Sequence, residues 1–118
     1  MRKRRIKMMA DYFCPPFWPM DTVSGPIEPE ALPLQQETVH LLYAWADRYD
    51  RILNMENPIA SSFETPEAEL AWRRDGIHLW KKVKQELAPH YEVYYFDDMS
   101  GKLCDSPEQL EENLDLKN

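Results

Sequence analysis

The chain has 118 residues, of which 30% are charged and 12% aromatic, and its formal net charge is −7. This length and aromatic content suit one compact domain and exclude disorder throughout. Five of the fourteen basic residues precede residue 8, so the remainder carries nine Lys and Arg against twenty-one Asp and Glu, a net charge of −12. Such a charge disfavours binding to phosphate backbones. Its simplest interpretation is solubility, and the alternative is a basic protein partner.

The basic N-terminal segment predicts a flexible leader, residues 1–8, ahead of a single domain, residues 9–114, and a frayed tail, residues 115–118. No apolar signal region follows the basic residues, and no apolar run is long enough to cross a bilayer, so we expect neither export nor a membrane span. Cys14 and Cys104 lie far apart in sequence, unlike a disulfide framework. They indicate reduced thiols and a cytoplasmic protein.

The first predicted element is a strand from Ile6 to Phe13, in which apolar residues partly alternate. Segment 14–33 then holds six of the ten prolines and is predicted to lack regular structure, because proline fixes φ and removes a backbone donor. Such a long connection either packs its aromatic residues Phe17 and Trp18 against the core or serves as a binding loop. We favour packing, because these side chains would promote aggregation if left in water.

The longest helical pattern runs from Leu34 to Asn54. Its apolar residues recur at steps of three and four, so they form one stripe that must be buried against another element. The stripe consists of Val39, Leu42, Trp45, Ala46, Tyr49, Ile52 and Leu53. A second helix is predicted from Thr65, a favourable N-cap that is followed by proline, to about Ala88.

Tyr91 to Phe96 is predicted to be a strand, because its residues are mostly aromatic or β-branched. A turn leads to a short further strand, Lys102 to Cys104, and Ser106 and Pro107 start a last helix that ends near Leu114. The predicted fold class is α+β: a small antiparallel sheet of two or three strands, covered by two amphipathic helices.

The sequence contains no motif for a reaction centre. It has neither a glycine-rich phosphate loop nor a GxSxG elbow, and no His lies near Cys14 in sequence. Two aspartate pairs could hold a hard cation, but arginines interleaved with the first pair favour surface ion pairs. The pairs are Asp47 with Asp50, and Asp97 with Asp98. We therefore expect no catalytic residue, no cofactor and no metal.

Acidic and aromatic residues on the first helix and on the strand from Tyr91 have the composition of a protein-recognition surface, in which amphipathic anchors lie among charges. The candidate partner-binding residues are Tyr43, Asp47, Asp50, Glu92, Tyr94, Asp97 and Asp98. The alternative is a solvated helix face together with an edge strand that its charges protect from pairing.

Five segments within Met9 to Phe96 form a recognisable pattern: ADYFCPPFWP, LPLQQET, AWADRYDRILN, SSFETPEAE and ELAPHYEVYYF. The pattern resembles small bacterial proteins of this length and element order, some of which are immunity proteins of interbacterial toxin systems, including contact-dependent growth inhibition. The resemblance implies a protein that is not an enzyme and that binds and neutralises a cognate toxin domain. We expect this toxin to be a basic nuclease whose active site is covered, with no direct contact to nucleic acid or membrane.

Two alternatives from other classes remain open. One is a small cytosolic enzyme that uses surface carboxylates or Cys14, and the other is a structural or regulatory subunit of a larger assembly. The neighbouring gene discriminates between these alternatives and an immunity protein, because a gene for a large exported protein with a basic C-terminal domain would favour immunity. The oligomeric state is also open.

Overall fold

The computed structural model describes residues 3–57 and 61–113, which form four strands and three α-helices. In chain order the elements are β1 (Arg4–Met8), β2 (Phe17–Pro19), a 3-10 helix (Pro29–Ala31), α1 (Gln36–Asp50), α2 (Pro66–Leu87), β3 (Tyr91–Asp97), β4 (Lys102–Cys104) and α3 (Pro107–Asn113). The predicted α+β class is confirmed. The tail at 115–118 and the predicted helix end at Leu114 lie outside the described residues.

The four strands form one mixed sheet in the order β2-β1-β3-β4. The outer pairs are antiparallel, whereas β1 and β3 run parallel, with Ile6 opposite Val93. The prediction of two or three antiparallel strands is therefore wrong. The parallel pairing arises from the connection between β1 and β3. These strands are joined by a long crossover that contains α1 and α2, and such a crossover can bring two strands together in parallel.

Strand β1 lies inside the sheet, so residues 4–8 do not belong to the predicted leader. The predicted first strand, Ile6 to Phe13, overlaps the observed β1 (Arg4–Met8) only at residues 6–8. Ile6 and Met8 are buried in the core, while Arg5 and Lys7 alternate with them and face the other side of the sheet. Because a strand presents successive side chains to opposite faces, it can carry several basic residues and still supply the core.

The proline-rich segment 14–33 is more regular than predicted, because it contains β2 and the 3-10 helix. Phe17 is fully buried, and Trp18 is half-buried with its indole N–H donating to the Met9 carbonyl at 3.3 Å. The predicted packing against the core is confirmed for Phe17, whereas Trp18 lies on the other side of the sheet and is half-buried. Proline is tolerated in β2 because this strand lies at the edge of the sheet.

The two long helices are confirmed, although α1 is shorter at both ends than the predicted Leu34 to Asn54. The Thr65 hydroxyl accepts a hydrogen bond from the Ala68 backbone N–H at 3.0 Å, as expected for an N-cap. The helices pack on the sheet face that contains Ile6 and Val93. Side chains on the opposite face, here called the open sheet face, remain half or fully exposed: Arg5, Lys7, Trp18, Glu92, Tyr94, Phe96 and Leu103.

Two tryptophans join α1 to α2. The indoles of Trp45 and Trp72 are nearly parallel, at 4°, with centroids 4.6 Å apart. Each indole N–H donates to the backbone carbonyl of the other residue, at 2.9 and 3.0 Å. A Cβ on Gly76 would lie only 2.8 Å from Trp45 Cζ2 and 2.9 Å from the Tyr95 hydroxyl. Glycine at this position therefore lets Trp45 lie directly against the backbone of α2.

Ile6→Ala should lower the free energy of unfolding by about 2–5 kcal/mol, because it removes a buried side chain from a central strand. Arg4→Ala in the same strand removes an exposed side chain and should change this free energy by less than about 0.5 kcal/mol. Urea denaturation measures both. Small effects of equal size would contradict the position of β1 within the sheet.

Gly76→Ala should destabilise the protein by about 1–3 kcal/mol, because the new methyl group overpacks the contact with Trp45 and Tyr95. Helix propensity alone would give the opposite sign, a gain of about 1 kcal/mol. The measurement is thermal and urea unfolding of Gly76→Ala in the natural and the Trp45→Phe backgrounds. Identical losses in both would show that the indole is not the source of the cost.

Candidate partner-binding surfaces

The seven predicted partner-binding residues occupy three places rather than one. Tyr43, Asp47 and Asp50 follow one side of α1, since they are spaced by four and three residues. Glu92 and Tyr94 lie on the open sheet face, whereas Asp97 and Asp98 lie where β3 ends. The strand alternation that separates Glu92 from Asp97 explains why one run of sequence serves two surfaces.

The first place is a groove between α1 and the segment Phe13–Pro16, here called the α1 groove, with a volume of about 640 Å³. Its lining mixes small or rigid apolar residues with carboxylates. The apolar residues are Phe13, Pro15, Pro16, Ala44 and Ala46, and the carboxylates are Glu28, Asp47 and Asp50. None of the described residues that line this groove is basic.

Tyr43 links α1 to the 3-10 helix, because its hydroxyl donates a hydrogen bond to the Glu30 carboxylate. This hydrogen bond, together with partial burial and the charge of Glu28, raises the pKa of Tyr43 to about 12. The phenol therefore remains a neutral donor at physiological pH. Asp47 pairs instead with Arg51 one turn along α1, at 2.6 Å, and both side chains are more than half exposed.

Phe13 is a residue of the α1 groove that sequence reasoning missed. Its φ of 58° lies in the left-handed region, which bulky side chains seldom adopt. The Asp50 carboxylate accepts the Phe13 backbone N–H at 2.9 Å and so holds this conformation. The side chain is left 69% exposed. No glycine or asparagine marks the turn, so the sequence carries no local signal for it.

Cys14 lines the same groove as a free, half-buried thiol. Burial and the neighbouring carboxylates of Asp11 and Asp50 raise the pKa of this thiol above its usual value. The thiolate is the nucleophilic form of cysteine, so this environment disfavours covalent catalysis. The geometry weighs against the alternative of an enzyme that uses Cys14.

On the open sheet face, the Tyr94 hydroxyl donates to the Glu92 carboxylate at 3.2 Å. Glu92 lies opposite Arg5 of β1, and Arg5 forms a salt bridge with Asp21 at 2.7 Å. The Lys7 Nζ atom lies over the Phe96 ring, 5.9 Å from its centre. This surface is aromatic with charges of both signs, unlike the α1 groove.

Asp97 and Asp98 bind groups of their own chain. Asp97 is buried and accepts hydrogen bonds from the Ser100 backbone N–H at 3.2 Å and its hydroxyl at 2.7 Å, which shapes the turn into β4. Asp98 forms a salt bridge of 2.6 Å with Arg73, whose side chain is only 10% exposed and also lies 3.3 Å from Glu69. Sequence reasoning missed Arg73, because a helical pattern alone does not reveal a buried charge.

Within residues 3–57 and 61–113, no group of three or more His, Cys, Asp or Glu side chains is placed to hold a metal ion. In the two predicted aspartate pairs, Asp50 accepts the Phe13 backbone N–H and Asp98 pairs with Arg73. In that same part of the chain, no helix has the length and apolar character needed to cross a membrane.

Asp98→Ala should lower the free energy of unfolding by about 1–2 kcal/mol, because it removes a charged partner from the buried Arg73. The remaining contacts of Arg73, to Glu69 at 3.3 Å and to Asp97 at 3.8 Å, and the partial exposure of Asp98 limit the loss. Asp47→Ala, which breaks an exposed pair, should cost less than about 0.5 kcal/mol. Parallel urea titrations test this difference, and equal costs would refute the structural role of Asp98.

Comparison with known proteins places this fold in a family. The family model described as Serratia CdiI immunity protein-like matches residues 4–98, which run from β1 through β3 and include all of the candidate partner-binding residues. No curated protein matches the chain. The family match confirms the resemblance to contact-dependent growth inhibition immunity proteins. Because it covers most of the sequence, the chain belongs to the Serratia CdiI immunity protein-like family.

Proposed function

We propose that this protein binds a cognate toxin domain stoichiometrically and neutralises it, and that the toxin is a basic nuclease whose active site it covers. The observation that carries the proposal is the net charge of −12 outside the first seven residues, in a member of an immunity-protein family. A nuclease must attract phosphate and so presents a basic surface. Long-range attraction would draw an acidic protein to that surface.

Inhibition by covering an active site requires a stable surface rather than a reaction centre. The internal hydrogen bonds of Asp97 agree with this role, because they use its carboxylate to support structure. The raised pKa of Cys14 also agrees with it, because the thiol is then less nucleophilic. We infer a protein that is not an enzyme. The free thiols of Cys14 and Cys104 support a location in the reducing cytoplasm.

The three places that hold the predicted partner-binding residues offer different contacts. The α1 groove presents carboxylates of Asp47 and Asp50, and the open sheet face presents Glu92 and Tyr94. Asp97 and Asp98 would act mainly by shaping the end of β3, since Asp97 is buried and Asp98 neutralises the buried Arg73. We propose that contact with the toxin centres on one of the first two surfaces rather than on the third.

The test is co-expression with the product of the adjacent upstream gene, followed by affinity capture and by a growth assay in cells that make that product. We expect a one-to-one complex and restored growth. An active, folded upstream product that is neither captured nor neutralised would overturn the proposal. Capture is repeated with an inactive but folded variant of the toxin domain, which does not harm the cells. This control distinguishes loss of binding from loss of expression.

The association rate of this complex should fall steeply between about 50 and 200 mM salt, whereas the dissociation rate should change much less. The reason is that salt screens the long-range attraction more than contacts already made. Stopped-flow or surface kinetics measure both rates, with a nonionic solute of equal osmolality as control. A salt-independent association rate would contradict electrostatic attraction to a basic toxin.

A further inference from the structure

The α1 groove combines carboxylates with apolar lining. Carboxylates of Glu28, Asp47 and Asp50 line it, and Glu30 lies beside it through its hydrogen bond with Tyr43. Prolines and alanines supply apolar lining between these charges. Such a groove complements a basic side chain with a long aliphatic stem, because the stem can contact apolar atoms while its charged head reaches a carboxylate.

Phe13 adds an exposed aromatic group at this groove. The side chain is 69% exposed even though its backbone is held by Asp50 and two prolines follow Cys14 in the same segment. Tyr12 also stacks on Tyr49 of α1, with ring centroids 4.6 Å apart, which ties the segment to the helix. An aromatic side chain presented by a rigid segment loses little conformational entropy on binding and is a typical interface anchor.

We propose that the α1 groove is the docking site for the toxin, and that it accepts a toxin segment carrying Lys or Arg next to an apolar residue. The inference rests on the proposed function and specifies the surface and the chemistry of its partner. The basic side chain pairs with Glu28 and replaces Arg51 in the exposed ion pair with Asp47, and the apolar residue covers Phe13. The acidic lining without a basic residue provides the charge complementarity that selects this occupant over a neutral or acidic one.

Matched charge reversals test the location. Glu28→Lys and Asp47→Lys change the groove, and Glu92→Lys makes the same change in net charge on the open sheet face. Binding is measured by surface kinetics between the full chain and the toxin domain of the adjacent upstream gene. We expect each groove variant to weaken binding by about 30-fold or more, largely through faster dissociation. Glu92→Lys should change affinity only by a few-fold, through slower association.

Phe13→Gly separates binding from folding. Glycine adopts a positive φ without strain, so the variant should melt at the same temperature as the natural protein or higher. It nevertheless lacks the aromatic anchor, and we expect its complex with the same toxin domain to dissociate about tenfold faster or more. An unchanged dissociation rate would remove Phe13 from the interface.

The alkylation rate of Cys14 tests occupancy of the groove in the natural protein, without any substitution. In the natural protein, toxin binding should slow alkylation of Cys14 several-fold at mildly alkaline pH, while the buried Cys104 should stay poorly reactive in both states. One outcome is that the natural protein binds the toxin while Cys14 is not protected and the groove variants lose no more affinity than Glu92→Lys. In that case the inference fails and the proposed function stands. If the natural protein does not bind at all, the proposed function fails and the inference falls with it.

Discussion

The reciprocal contact between Trp45 and Trp72 determines how the two long helices lie on each other. Two stacked indoles that exchange hydrogen bonds with each other's backbone satisfy both buried N–H groups and define one orientation. Gly76 allows this approach, and Tyr95 of β3 extends the contact to the sheet. The direction of α1, and therefore the position of the α1 groove, depends on this cluster.

The sheet separates the charges of the chain. Strand β1 places Ile6 and Met8 in the core and leaves Arg5 and Lys7 on the open sheet face. The carboxylates of α1 instead line a groove without basic residues among its described lining. A protein with an excess of acidic residues thus presents both a mixed aromatic face and a strongly acidic groove, so net charge alone does not describe its interaction surfaces.

Four aspartates of similar appearance in the sequence have different roles in the structure. Asp47 forms an exposed ion pair, and Asp50 holds the Phe13 backbone. Asp97 shapes the turn into β4, and Asp98 neutralises the buried Arg73. The difference arises from burial and from the nearest donor, which depend on the fold rather than on spacing along the chain.

The sequence by itself determined the two long helices, the Thr65 cap, β3, β4 and the family, because these depend on local periodicity, capping chemistry and recurring segments. It also determined the candidate residues on α1, since helical spacing places Tyr43, Asp47 and Asp50 on one side. Only the tertiary structure decided that β1 pairs in parallel with β3, that Arg73 is buried, and that Phe13 adopts a positive φ beside the groove. These features depend on partners that are remote in sequence, and neither composition nor a local pattern contains information about such contacts.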